Sequence, residues 1–169
     1  MQSLASDAME GPTYFGTTEH TLDEKGRLIL PGHILDLVPK AEWRFFLSAG
    51  LDRCLLLHDL HGWNGLVQRL GQGVGATRAH RALLRRFLGH SAEVVPDNAR
   101  RIRIPDPLLK YAGLAASQSL SLVGAGRVLE LWSSTNLDKS LSEAGADEEA
   151  LFASLVGNIK PSAPVAQGP

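Results

Sequence analysis

Asp23-Glu24-Lys25-Gly26-Arg27-Leu28-Ile29-Leu30-Pro31 is the stretch from which the rest of the chain can be read. The residues before it, Glu19 to Leu22, suit an extended strand. Asp-Glu-Lys-Gly has the composition of a tight turn, and Arg27 to Pro31 opens a second extended run. Two short strands joined by a Gly-containing turn form a β-hairpin. Gly26 is the residue expected at positive φ, which other residues enter at a cost of roughly 1 kcal/mol or more. The pattern returns as Asp97-Asn98-Ala99-Arg100-Arg101-Ile102-Arg103-Ile104-Pro105, 74 positions further on. At that offset Glu19 matches Glu93, Arg27 Arg101, Pro31 Pro105, Leu35 Leu109, Gly50 Gly124, Arg53 Arg127, Leu55 Leu129 and Leu57 Leu131. So many pairs in one fixed register identify an internal duplication.

The duplication sets the expected architecture, which is α+β and mainly β. In the first copy, strands are expected at Tyr14–Thr21, after the hairpin turn up to Pro31, at Trp43–Ser48 and at Cys54–His58. A short helix follows Pro31, and an amphipathic one runs from Leu60 to Leu70 with Trp63, Leu66, Val67 and Leu70 on one face. Gly71 to Gly75 is a linker. A helix from about Thr77 to Leu88 then turns Leu83, Leu84 and Phe87 inward and leaves Arg78, Arg81, Arg85 and Arg86 in solvent. The second copy repeats the plan, with strands at 92–95, 101–104, 120–123 and 127–132, a short helix at 107–111 and a closing helix from Leu137. Residues 1–13 read as a disordered lead-in and those past Lys160 as a flexible tail. The modules are thus 14–70 and 91–140, joined by 71–90, with 141–169 as closing helix and tail. Neither copy can enclose a core alone, but two facing copies can, as a small pseudo-twofold β-barrel with helices outside.

A chain of 169 residues with 44% hydrophobic content can bury such a core. No run approaches the roughly 18 apolar residues of a membrane span. Met1 to Glu10 lacks the basic-then-apolar order of a secretion signal, so export is not expected. Cys54 is the single cysteine; it can form no internal disulfide and suits a reducing cytoplasm. The net charge of −1 hides an asymmetry. Residues 78–110 hold eight Arg or Lys against Glu93, Asp97 and Asp106, residues 133–169 hold two Lys against five acids, and residues 1–22 hold three acids and no Lys or Arg. A basic middle between acidic ends fits a polyanion-binding face and fits a solvated helix equally.

Catalytic constellations fall short. The alternating glycines of 71–75 are followed by no Gly-Lys-Ser/Thr, so a phosphate loop is not indicated. His58 and His61 have only Asp59 nearby as a further metal ligand, Cys54 sits among leucines, and no Gly-x-Ser-x-Gly elbow occurs. No enzyme activity, cofactor or small-molecule substrate is expected. The repeated Asp-x-x-x-Arg loops admit two readings. Asp can simply cap the turn and pair with the Arg to hold the hairpin. Alternatively, Asp23 and Asp97 hold Arg27 and Arg101 while the tips offer guanidinium groups to phosphates or guanine edges, with Lys25, Arg100 and Arg103 alongside.

The segment from Glu19 through Pro31 resembles the first signature of the MraZ transcriptional regulators. Gly50-Leu51-Asp52-Arg53-Cys54-Leu55 and Trp63 resemble the segment that follows in them. Arg101 to Pro105, Tyr111-Ala112-Gly113-Leu114 and Glu130-Leu131-Trp132-Ser133 resemble their second half. The likeness covers roughly residues 14–140. It implies two tandem AbrB-like swapped-hairpin repeats in a pseudo-twofold double-split β-barrel with outer helices, and a ring-shaped homo-oligomer. It also implies binding to double-stranded DNA at short direct repeats upstream of the cell-division and cell-wall gene cluster, usually as a repressor, in the cytoplasm and at the nucleoid. The alternative is an AbrB-fold, antitoxin-like protein whose main partner is another protein. The family's Asp-x-x-x-Arg motifs fall on Asp23 with Arg27 and on Asp97 with Arg101. The second copy departs from the pattern, with Arg100 where Gly is usual and Ala99 answering Lys25, so its turn is expected to take positive φ at Asn98.

Overall fold

The computed structural model describes residues 11–72, 77–143 and 145–157. In chain order the elements are β1 (Thr17–Thr21), β2 (Arg27–Ile29), α1 (Gly32–Leu35), a 3₁₀ turn (Lys40–Glu42), β3 (Phe45–Ala49), β4 (Leu55–Asp59), α2 (Leu60–Gly71) and α3 (Arg78–Phe87). They continue with β5 (Ala92–Val94), β6 (Arg101–Arg103), α4 (Asp106–Ala112), β7 (Ser119–Gly124), β8 (Leu129–Trp132), α5 (Ser134–Glu143) and α6 (Gly145–Gly157). The chain divides into a large unit ending at Leu137 and a small one beginning at Asp138. The small unit holds the rest of α5 and α6, where Leu141, Leu151, Phe152 and Leu155 are exposed.

All strand pairing is antiparallel. Six strands form one sheet in the order β1-β7-β8-β4-β3-β5, and β2 pairs only with β6 as a separate ribbon. The order of the six is unchanged when the two copies are exchanged, since β1 answers β5, β7 answers β3 and β8 answers β4. The first strand of each copy therefore pairs with the third strand of the other, β1 with β7 and β5 with β3. The pseudo-twofold passes through both sheets. Leu28 faces Ile102 in the ribbon and Leu56 faces Glu130 in the large sheet, each pair being sequence equivalents.

The expected barrel is not closed. β1 and β5 end the large sheet, because the three-residue strands β2 and β6 pair with one another instead of bridging those edges. The core lies where the ribbon meets the large sheet: Leu22, Leu28, Leu30, Phe45, Leu47, Leu55, Leu57, Ile102, Ile104, Leu120 and Leu122 are almost wholly buried. Burial of each is worth about 1.5–3 kcal/mol relative to exposure, so the ribbon is held down by Leu28 and Ile102 at its centre together with Leu30 and Ile104 just beyond it.

The fixed offset of 74 also fails locally. Glu19 pairs with Ser121, whereas its counterpart Glu93 pairs with Phe46, so β7 stands one residue later than the duplication places it. The slip is compensated in the next turn. Gly50 N–H donates to Cys54 O across three intervening residues, but Ala125 N–H donates to Val128 O across two. Gly50 thus corresponds in space to Ala125, and its match with Gly124 is a sequence coincidence.

Helices start and stop for local reasons. Pro31 and Pro105 end the ribbon strands and precede α1 and α4. Asp59 caps α2 by accepting from Gly62 N–H at 2.8 Å, and its other oxygen accepts from the Tyr14 hydroxyl at 2.8 Å. The first strand is expected from Tyr14, but β1 begins at Thr17 and Tyr14 forms an isolated bridge with Gly126. Thr77 caps α3 through His80 N–H. Of the apolar residues expected inside α3, Phe87 is buried, Leu84 is partly covered and Leu83 stays 37% exposed. On α2, Val67 is exposed and no residue is fully buried. The closing helix begins at Ser134 and not Leu137. Of the expected lead-in, residues 1–10 lie outside the described residues, and Arg127 donates to the carbonyls of Gly11 and Pro12. Most of the Gly71–Gly75 linker and the tail past Lys160 also lie outside them.

Candidate functional site

The two Asp-x-x-x-Arg loops fold alike. In the first, Asp23 Oδ1 accepts from the backbone N–H groups of Lys25 and Arg27, both at 2.9 Å, and Oδ2 accepts from Arg27 Nε at 2.6 Å. In the second, Asp97 Oδ1 accepts from Ala99 and Arg101 N–H at 2.9 Å, and Oδ2 from Arg101 Nε at 2.8 Å. One carboxylate therefore satisfies two loop donors and fixes the arginine, the arrangement that makes Asp a turn residue.

The carboxyl groups respond accordingly. Loss of solvent pushes Asp23 up, but the backbone and guanidinium hydrogen bonds from Arg27, with that from Lys25, outweigh it and hold the group below its ordinary value. At Asp97 the Arg101 guanidinium, aided by the Arg101 and Ala99 N–H groups, lowers it to about 2. The Arg101 guanidinium is raised, first by its bond to Asp97, and Asp23 adds to this from the other copy.

Gly26 has φ 68° and Arg100 φ 61°. The positive-φ residue of the second loop is thus Arg100, not Asn98. Asp97 Oδ1 must reach the N–H groups two and four residues on, which fixes the left-handed residue at the place Gly26 fills in the first loop. These two residues also stitch the copies together. Arg100 O accepts from Leu30 N–H at 2.9 Å, and Gly26 O accepts from Ile104 N–H at 3.1 Å. Both loops are therefore anchored to the opposite copy at their positive-φ residue.

The ribbon between the loops presents a defined face. Leu28 and Ile102 are fully buried, so the residues on either side of each point away from the core. That outer face carries Arg27 opposite Arg103 and Ile29 opposite Arg101. Arg27 and Arg101 are partly covered, while Lys25, Arg100 and Arg103 are exposed and have no ion-pair partner among the described residues. The Arg100 guanidinium lies against Gly32, where even a Cβ would stand 3.0 Å from it. All seven residues singled out from the sequence, Asp23, Lys25, Arg27, Asp97, Arg100, Arg101 and Arg103, are gathered on one ribbon and its two tips. Sequence reasoning missed Ile29, which is 56% exposed at the centre of this face. Its signal lay in strand alternation after the buried Leu28.

The other candidates have structural surroundings. His58 is buried against Trp63, its Nε2 without a partner among the described residues, and burial lowers it to about 4. Cys54 is buried, which with Glu130 and Asp52 pushes its thiol up to about 12, far from a reactive thiolate. No cluster of three or more potential metal ligands occurs among the described residues, and none of their helices is long and apolar enough to cross a membrane.

Residues 13–86 match the family described as "MraZ protein, putative antitoxin-like". A protein of Dictyoglomus thermophilum named transcriptional regulator MraZ is 34% identical over 119 residues, covering 70% of this chain and 78% of the relative. Proteins of the same name from Acetivibrio thermocellus and Clavibacter michiganensis are each 32% identical, over 83% and 88% of this chain and 91% and 97% of their own lengths. At these identities and over these lengths, the chain belongs to the MraZ family.

Proposed function

We propose that this chain is a DNA-binding transcriptional regulator and not an enzyme. It acts in the cytoplasm at the nucleoid, as a homo-oligomeric ring. It binds short direct repeats upstream of the cell-division and cell-wall gene cluster, its own promoter included, and represses it. The observation that carries the reading is the ribbon. β2 and β6, one strand from each copy, bring Arg27, Arg101 and Arg103 onto one face, with Lys25 and Arg100 at the tips. B-DNA's major groove, about 12 Å wide, admits a two-stranded ribbon of this kind. The exchange of first strands between copies supports tandem AbrB-like swapped-hairpin modules at 14–70 and 91–140.

Asp23 and Asp97 position the arginines in this reading and do not meet the nucleic acid. Each Nε is engaged by its carboxylate, and the terminal nitrogens of Arg27 have no other partner among the described residues. A guanidinium so held has lost its freedom before binding, which lowers the ordering cost of a bidentate contact.

The test is a mobility-shift titration with DNA from upstream of the chain's own gene. The wild-type chain shifts it, and Arg27→Ala abolishes the specific shift while circular dichroism stays unchanged. Unchanged affinity in a folded variant refutes the assignment. The matched family's description, which includes "antitoxin-like", favours a second reading in which the ribbon meets a protein. A purified chain that shifts no upstream DNA at any salt concentration would favour it.

A further inference from the structure

We propose that Ile29 reads a thymine methyl group and that its exchange for Arg103 across the pseudo-twofold gives the ribbon a direction on DNA. The inference rests on the DNA-binding reading above. Leu28 and Ile102 lie on the axis, so Arg27 and Arg101 are equivalents, as are Ile29 and Arg103. The first pair is identical, and each member is locked by an equivalent Asp. The second pair is not: one corner of the outer face is a half-exposed aliphatic group and the other a guanidinium. The tips break the symmetry again, with Lys25 answered by Ala99 and Gly26 by Arg100.

A symmetric ribbon would read both halves of a site alike. This one carries different chemistry at its two corners. In the major groove the partner for an apolar side chain is the thymine C5-methyl, and for arginine it is the guanine O6/N7 edge. Residues 27 and 29 are about 6.6 Å apart along the strand, close to two base-pair rises. Ile29 therefore addresses a base about two pairs from the one facing Arg27, and Arg103 a guanine at the mirror position of the other half. A purely structural role for Ile29 as a β-branched strand residue would affect stability and leave base preference alone.

Two binding measurements on the intact chain decide the matter. In the first, each thymine of the protected upstream duplex is replaced in turn by deoxyuridine, which removes only the methyl, at the matching place in every copy of the site. One position is expected to weaken wild-type binding by about fourfold per contact, the worth of one buried methyl. Ile29→Ser should bind more weakly to the natural duplex and show no further loss at that position. The second compares the natural site with two palindromes built from its left and right halves. Wild type should prefer the natural site by about fourfold over the palindrome of the guanine-bearing half, which lacks only the methyl contact. Over the other palindrome, which lacks the arginine–guanine contact, the preference should be about fivefold or more. Ile29→Arg, with matched corners, should instead favour the palindrome of the guanine-bearing half.

A methyl scan flat for wild type overturns the role of Ile29, as does a loss that persists equally in Ile29→Ser. Equal wild-type affinity for either palindrome overturns the direction. In all these outcomes DNA is still bound and the proposed function stands. A wild-type chain that fails to bind the duplex at all overturns both.

Discussion

A single carboxylate organises each loop, and acid should reveal it. Asp97 in the folded chain has a pKa of about 2 against the ordinary 3.8. A depressed pKa means that the ionised form is favoured in the folded state. The contribution is complete above about 3.8 and is lost as pH falls through about 2. The amide resonances of Ala99 and Arg101, which donate to Asp97, are expected to shift together with an inflection near pH 2, and Asp97→Asn should remove it. An inflection at the ordinary carboxylate value would show that the Arg101 contact is not formed in solution. Asp23 should titrate low as well, with the amides of Lys25 and Arg27 reporting it, although burial works against the shift there.

Among the elements, the two Asp-x-x-x-Arg loops pose a trade between stability and recognition. Arg100 occupies a left-handed conformation that suits glycine, whereas Gly26 occupies the same conformation at its ease. Arg100→Gly is expected to stabilise the chain by about 1 kcal/mol, seen as a higher midpoint in urea or heat, while weakening DNA binding through loss of a tip cation. Gly26→Ala should do the reverse to stability. Besides the unfavourable φ of 68°, its Cβ would stand 2.9 Å from Leu109 Cδ1, and a loss of about 1 kcal/mol or more is expected. If Arg100→Gly lowers stability, the Arg100 side chain packing against Gly32 matters more than the strain.

These elements also mark what the sequence disclosed. The two Asp-x-x-x-Arg turns and the prolines that end the strands were legible because each rests on chemistry within a few residues, and the duplication because many residue pairs keep one offset. The one-residue slip of β7 was not. Its compensation in the shorter turn after Ala125 leaves no change in length, so a fixed offset runs across it undisturbed. Nor could local sequence say that β1 pairs with β7 and that β2 and β6 form a ribbon of their own, since each strand is equally suited to a neighbour in its own copy. Asn98 misled because residue preference was weighed without the Asp97 hydrogen bonds that fix which position turns.

For the whole molecule the question is how a chain of net charge −1 would hold a polyanion. The ribbon and tips supply only a few unpaired cations. One subunit on one site is expected to bind within about 10⁻⁴ to 10⁻⁶ M, the range of non-specific association. Log affinity should fall linearly with log salt, by about 0.9 per phosphate neutralised; a flat response would point to the protein-partner reading. The exposed apolar side chains of α5 and α6 fit assembly into the proposed oligomer, since such surface on a monomer calls for a partner. In an assembly the second and third ribbons engage DNA as intramolecular events, and avidity can add roughly 10² to 10⁴ in affinity. Affinity should therefore climb steeply from one repeat to two and three, and inserting half a helical turn between repeats should undo the gain, because the ribbons would face opposite sides of the duplex. Titration of operators with one, two and three repeats against the same preparation measures this directly. Equal affinity for all three would mean that each ribbon secures its site alone, and the contacts of Arg27, Arg101 and Arg103 would then have to carry the full affinity.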